Sequence, residues 1–173
     1  MTEKQEKILK SALELFAKEG YHATSTSKVA NNAGVSEGLI FRHFKNKEGL
    51  LMAILKEGEN KLNELFADIV MESDPQEVVR KAIELPFIVP ESEYEFWGLQ
   101  YKLKWEIEMD YSHKTEPLTM ALALAFVKLN YESPQQEAEF LTLSLDAIGA
   151  ALIKRSMANA DKMKSFLLKK YGL

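Results

Sequence analysis

The chain has no cysteine among its 173 residues and few punctuating residues, with eight glycines and five prolines. The lack of cysteine excludes disulfides, thiolate nucleophiles and cysteine-ligated zinc, and it suits a reducing cytosol. Long apolar runs are also missing, because a stretch such as Met120 to Val127 is far shorter than the ~20 residues that span a bilayer. The first seven residues contain no apolar core for export. We therefore expect a soluble, cytoplasmic protein.

Motifs for catalysis are equally scarce. The three histidines, His22, His43 and His113, are scattered, and neither a His-Glu-x-x-His helix nor a glycine-rich phosphate loop occurs. No two carboxylates are spaced as an acid/base pair. We predict that the chain is not an enzyme and that it needs no metal and no cofactor.

The net charge of −4 hides an asymmetry between the two ends of the chain. Residues 1–56 carry nine Lys and Arg against six Asp and Glu, whereas residues 57–173 carry thirteen against twenty. A basic amino-terminal part and an acidic carboxy-terminal part suggest one surface that binds a polyanion and another with a different function. An excess of three positive charges can also arise by chance.

Helical periodicity and helix-capping signals run along almost the whole chain. Apolar residues recur at three- and four-residue steps from Ile8 to Phe16, behind a capping box at Thr2 and Gln5. Further starts follow at the positions listed next. They are the run from Thr24 to Ser27, then Ser36, Asn46, Asp74, Ser92, Thr115 and Ser133. No hairpin turn and no alternating strand pattern is present. The sequence predicts an all-α fold of about nine helices.

Two short helices joined by Gly34-Val35-Ser36 predict a helix-turn-helix. Ala30 is small where the two helices must approach, and Gly34 permits a left-handed turn. Ile40 is apolar where the following helix packs inward. We predict a DNA-binding domain over residues 1–46 and a second domain over residues 47–173, with residues 47–56 shared through a long fourth helix.

The outward face of the third helix carries groups that suit DNA. A helix in the major groove must offer hydrogen-bond donors to bases and phosphates. The candidate residues are Ser36, Gly38, Arg42 and His43, flanked by Lys28 and Lys47. Gly38 has no side chain, so the backbone can come close to DNA. The alternative is an amphipathic helix whose polar face only meets water.

Residues 5–55 resemble the amino-terminal domain of the tetracycline-repressor (TetR) family of regulators. The matching residues follow one another in order. They are Ile8-Leu9, Ala12, Leu15-Phe16, Gly20-Tyr21, Ala23-Thr24, Thr26, Val29-Ala30, Ala33 to Ser36, Gly38 to Phe41, His43-Phe44, Lys47-Glu48 and Leu50-Leu51. The rest of the chain is similar to the family only in being helical and of suitable length.

The resemblance implies a dimeric, ligand-responsive DNA-binding regulator, most often a repressor, that a small molecule of unknown identity releases from a palindromic operator. It implies phosphate contacts by Thr26 and Lys47. It further implies that Ser36, Gly38, Phe41, Arg42 and His43 face the major groove of double-stranded operator DNA. Phe41 stands where tyrosine is usual and cannot donate a hydroxyl to a phosphate. Gly49 stands where many members have an acidic residue, which weakens the start of the fourth helix. The alternative is a helical ligand-binding or scaffold protein that has lost operator binding.

The resemblance and the apolar pattern together place the homodimer surface in residues 133–157 and 160–171. Residues 140–153 are apolar almost all round, and a helix of that kind must be covered on most sides. The alternative is a central core helix of a monomer.

An aromatic stripe on one helix is the candidate effector site. Tyr94, Trp97, Tyr101 and Trp105 share one side of a helix at 100° per residue, and Met109, Phe126 and Asp146 could join them. Aromatic faces beside carboxylates favour an aromatic or cationic ligand. The alternative is that these aromatic side chains only form core.

Overall fold

The computed structural model describes the backbone of residues 1–106 and 112–173 and the side chains of residues 1–102 and 114–173. Within those ranges every regular element is helical, which confirms the all-α prediction. The α-helices are α1 (Glu3–Glu19), α2 (Thr26–Ala33), α3 (Glu37–Phe44), α4 (Lys47–Val70), α5 (Pro75–Glu84), α6 (Tyr94–Glu106), α7 (Ser112–Lys128), α8 (Pro134–Ile153) and α9 (Ala160–Lys170). Two short 3-10 turns, Leu85–Phe87 and Glu91–Glu93, separate α5 from α6.

Contacts divide the chain into two compact units. Unit 1 contains residues 1–60 together with α6, and unit 2 contains residues 61–91 and the helices from α7 onward. The long α4 helix therefore supplies residues to both units. The two units are defined by packing, whereas the predicted domains, which meet after residue 46, are defined by function. The division into functional domains stays a prediction.

In unit 1, α1 is held by the capping signals and the apolar stripe that the sequence predicts. The hydroxyl of Thr2 accepts from the Gln5 amide, and the Gln5 side chain accepts from the Thr2 amide at 2.8 Å. Ile8, Ala12 and Phe16 lie fully buried along one face. A polar link joins α1 to α2, because the Ser11 hydroxyl donates to the carbonyl of Val29 at 3.1 Å.

The turn between α2 and α3 has the predicted geometry. Gly34 has φ 66° and ψ 36°, a left-handed conformation that favours glycine. The amide of Val35 donates back to the carbonyl of Ala30 at 3.0 Å, which closes the end of α2 as a Schellman motif. Ala30 and Ile40 are buried on either side of this turn. Their burial fixes the direction in which α3 leaves the domain.

The junction between α3 and α4 shows why residue 49 is a glycine. Lys45 has φ 69° and ψ −47°, and the Asn46 amide donates to the Phe44 carbonyl at 2.9 Å across this tight turn. A Cβ on Gly49 would lie 1.7 Å from that carbonyl oxygen. Asn46 caps the new helix, since its side-chain oxygen accepts from the Gly49 amide at 2.7 Å. Gly49 was predicted to weaken the start of the fourth helix. The structure shows that it stands where the backbone approaches the Phe44 carbonyl so closely that only glycine fits.

Replacing Gly49 with alanine is expected to lower the free energy of unfolding by about 1–3 kcal/mol. The backbone at residue 49 and the Phe44 carbonyl must move apart to make room for the added Cβ. Urea unfolding followed by circular dichroism measures the loss. The matched control is Gly38→Ala in α3, where an added Cβ would meet nothing within 4 Å. Equal stabilities of the two variants would contradict the close approach.

Unit 2 is built around α5, α7, α8 and α9. Ile83, Leu122, Phe126 and Leu141 are fully buried in its centre. The prediction that α7 starts at Thr115 was wrong, because the helix begins at Ser112 and contains Pro117. A proline within the first two turns removes one backbone hydrogen bond but does not prevent the helix from starting earlier. Among the described residues, no helix combines the length and apolar character that crossing a membrane requires.

Candidate nucleic-acid interface

One face of α3 is turned to solvent. Ile40 and Phe44 face inward and are buried, whereas Gly38, Phe41 and Arg42 are exposed. Phe41 keeps 49% of its surface exposed, which is unusual for a large apolar ring. The predicted groove residues of α3 thus share one accessible surface, with His43 at its margin.

Arg42 and Ser36 are two donors on this surface that are available to a ligand. Arg42 is exposed, and within the described side chains it has no ion-pair or hydrogen-bond partner. Ser36 stands at the amino-terminal end of α3, but its hydroxyl makes no capping hydrogen bond, contrary to the predicted cap. An uncommitted guanidinium and an uncommitted hydroxyl can bind bases or phosphates without first breaking an internal contact.

Gly38 leaves open space above the first turn of α3. Apart from its two chain neighbours and the adjacent backbone of α3, no protein atom among the described residues lies within 4 Å of the position that its Cβ would occupy. Its neighbours in the protein therefore do not require glycine here, whereas those of Gly49 do. The open space is consistent with the close backbone approach to DNA that the sequence suggested.

Two of the predicted DNA-binding residues are engaged by carboxylates. The Thr26 hydroxyl donates to Glu37 Oε1 at 2.7 Å, and Lys28 Nζ pairs with Glu19 at 2.5 Å. The Lys28 pair is at the surface, where such pairs contribute little and exchange readily with another anion. The single hydroxyl hydrogen of Thr26 must change partner to contact a phosphate, whereas the Lys28 ammonium has a third hydrogen that it can donate.

Lys47 lies against the loop between α1 and α2. Its Nζ donates to the carbonyls of Tyr21 at 3.1 Å and His22 at 3.3 Å, and it stands 4.6 Å from the centre of the Tyr21 ring. Burial raises the pKa of Tyr21, and the Glu48 carboxylate adds to that shift. Lys47 thus orders the loop as well as placing a positive charge at the surface.

His43 leans away from the exposed face of α3. Its Nδ1 is 3.4 Å from the side-chain nitrogen of Gln5 in α1, and the ring is half-buried.

Two residues of this surface were missed by the sequence analysis. Glu37 begins α3, and Lys45 follows it with an exposed side chain. Their positions at the two ends of the predicted third helix were the sequence signal that could have identified them.

The predicted effector residues belong to two different units. In unit 1, Trp97 is buried at 7% exposure and its Nε1 donates to Glu93 at 3.1 Å, with Tyr94 and Tyr101 half-buried on the same helix. In unit 2, Phe126 is fully buried and Asp146 is half-buried. The Trp105 side chain and Met109 lie outside the described residues. Whether this set binds a ligand stays a prediction.

The helix predicted at the dimer interface is not covered all round. One face of α8, including Leu141 and Leu145, is buried in unit 2, but Phe140 and Leu143 keep 55% and 70% of their surface exposed. Phe166 of α9 is 61% exposed. Among the described residues, no group of three or more His, Cys, Asp or Glu is placed to hold a metal ion.

Residues 8–54 match the family model for bacterial regulatory proteins of the tetR family. Among curated proteins, the HTH-type transcriptional regulator YerO of Bacillus subtilis is 36% identical over 91 residues, which is 50% of this chain and 31% of the relative. The sequence matches to the first relatives thus span about a third or less of those proteins, at 31%, 27% and 26%.

Solved structures match over nearly the whole chain. A transcriptional regulator from Saccharomonospora viridis in complex with choline has a TM-score of 0.77 at 20% identity, covering 96% of this chain and 94% of the other. The regulator AibR, in complex with isovaleryl coenzyme A and operator DNA, has a TM-score of 0.72 at 17% identity, covering 96% of both chains. At these identities the likeness establishes the fold alone.

Proposed function

Because residues 8–54 match the family model for bacterial regulatory proteins of the tetR family, we propose that the chain is a dimeric repressor of that family, which a small molecule releases from a palindromic operator. The observation that carries this proposal is the exposed face of α3, with Arg42 and Ser36 free to bind. Gly38 lets that face approach a duplex, and α3 is a helix of the length that enters a major groove. Thr26, Lys28 and Lys47 flank it as candidate phosphate contacts.

Two copies of α3 require two half-sites. A twofold dimer would place them about 34–36 Å apart or a multiple of that distance, on a roughly palindromic duplex. The exposed apolar residues of α8 and α9 support this dimer, because Phe140, Leu143 and Phe166 would be covered by a second copy. AibR, with its operator DNA, is a precedent for DNA binding by this fold.

One observation favours the alternative, a helical binding or scaffold protein without operator binding. The Thr26 hydroxyl is already donated to the Glu37 carboxylate, so it is not free to bind a phosphate. Selection of duplexes from a random pool separates the two functions. A repressor enriches a palindrome, whereas a scaffold protein enriches none.

The effector part of the proposal rests on the aromatic side of α6. The Trp97 ring lies against the carboxylate of Glu93, and Tyr94 and Tyr101 are half-buried on the same helix. Aromatic rings together with a carboxylate suit an aromatic or cationic ligand. Choline, a quaternary ammonium compound, is bound to the Saccharomonospora viridis regulator named above. Trp105, Met109, Phe126 and Asp146 remain the further candidates.

Benzyltrimethylammonium is a suitable probe because it combines an aromatic ring with a fixed positive charge. We expect it to quench tryptophan fluorescence in a saturable manner and to lower the affinity for the selected duplex. Quenching should fall sharply in Trp97→Phe, with Trp105→Phe as the matched comparison on the same helix. Saturable quenching that is the same in Trp97→Phe and in the unaltered chain would place the ligand elsewhere.

A further inference from the structure

A carboxylate stands on the surface that is proposed to face DNA. Glu37 is the first residue of α3, directly after Ser36, and it is half-buried. One of its oxygens accepts the hydroxyl hydrogen of Thr26 at 2.7 Å. Within the described part of the chain, no second hydrogen bond to this carboxylate is formed. Thr26 therefore fixes the orientation of Glu37 and leaves acceptor capacity unused.

A negative charge at this place is favourable for the helix but not for contact with a DNA backbone. The positive end of the helix dipole stabilises an anion in the first turn. Phosphates, however, repel a carboxylate, and only the amino groups on base edges can donate to it. In the major groove the N4 amino group of cytosine is the donor that Glu and Asp accept.

The position of Glu37 on α3 suits a base edge more than a phosphate. In a helix-turn-helix, the amino-terminal residues of the recognition helix contact base edges. The next residue, Gly38, has no side chain that could separate the first turn of α3 from a ligand. The space that its Cβ would occupy is open. Phe41, one turn later on the same side, is exposed and can meet the apolar part of a neighbouring base.

We propose that Glu37, held in place by Thr26, is a specificity-determining residue that accepts a hydrogen bond from the amino group of one cytosine in each half-site. The inference rests on the proposed function and adds to it a named base. Thr26 then acts as a positioning residue toward Glu37, because its single hydroxyl hydrogen is donated to that carboxylate and not to a phosphate.

Selection from a random duplex pool tests this inference with the unaltered chain, Glu37→Gln and Glu37→Ala. The unaltered chain should enrich a palindrome with cytosine at one position of each half-site, and changing that base pair should cost on the order of 10-fold in affinity. Glu37→Gln keeps an oxygen for Thr26 but should change the preferred base to adenine, which an amide contacts through N6 and N7. Glu37→Ala should show no preference at that position.

Two control variants separate base recognition from charge and from structure. Glu64→Gln removes an exposed carboxylate from α4 and should leave the selected sequence unchanged. Thr26→Val should weaken binding but keep cytosine preferred. If Glu37→Gln and Glu37→Ala select the same palindrome as the unaltered chain, Glu37 reads no base and the inference is overturned. If the unaltered chain selects no sequence, the proposed function itself fails.

Discussion

Arg42→Ala is expected to lower operator affinity by about 10- to 100-fold, the loss typical of one good base or groove contact. Its stability should be unchanged, because Arg42 is exposed and makes no ion pair or hydrogen bond within the described side chains. Fluorescence anisotropy with the selected palindromic duplex, at one fixed salt concentration, measures the affinity. Thermal unfolding of the same preparation measures the stability.

The control is Arg155→Ala, which removes the same charge from unit 2. Arg155 is exposed and pairs with Glu91 at 2.7 Å, so its loss changes net charge equally but leaves α3 intact. We expect operator affinity to change by less than about 3-fold in this variant, since exposed pairs contribute little. Unchanged affinity in Arg42→Ala would count against α3 as the groove-binding helix and would favour the scaffold alternative.

Leu143→Glu is expected to convert the proposed dimer into a monomer and to weaken operator binding by about 100-fold or more, because linked half-sites add affinity through effective concentration. Leu143 is 70% exposed in unit 2, so the monomer loses no buried contact of its own. A dimer would bury two glutamate charges in its apolar contact, which is strongly unfavourable. Light scattering at micromolar concentration gives the mass, and anisotropy gives the affinity.

Ile88→Glu is the matched control, because Ile88 is 60% exposed and lies outside α8 and α9. This variant should keep the mass and the affinity of the unaltered chain. A dimer mass for Leu143→Glu would show that the contact between copies lies elsewhere on the protein. A monomer mass for the unaltered chain would refute the proposed dimer altogether.

The helical fold could be predicted because its signals are local. Caps, glycine stops and three-to-four periodicity act within a few residues, so the bounds of α1 and α3 and the end of α2 follow closely from the sequence, and the start of α2 follows to within a run of four hydroxyl residues. The start of α7 could not be placed as well, since Pro117 is tolerated inside the helix. A local breaker has less influence where unit 2 buries Leu118 and Leu122 immediately afterwards.

The sequence predicted which residues form the candidate site, but not which of them already bind other side chains of the protein. Residue types and spacing pointed to Ser36, Gly38 and Arg42, and the structure places these on one exposed surface. The carboxylate partners of Thr26 and Lys28 could not be foreseen, because Glu37 and Glu19 are eleven and nine residues away in sequence. Contacts of that kind depend on how helices cross, and no local signal records a crossing angle.

By itself, the sequence determined that this protein is helical, that Gly34 turns the chain between two short helices, and that a polar face of the second one is available. These features follow from backbone preferences and from the periodic placement of apolar residues. Only the tertiary structure decided that Gly49 is required by a close carbonyl, that Lys47 is tied to the preceding loop, and that Glu37 is oriented by Thr26. Each of these depends on atoms that are brought together by packing, where distance in space is independent of distance along the chain.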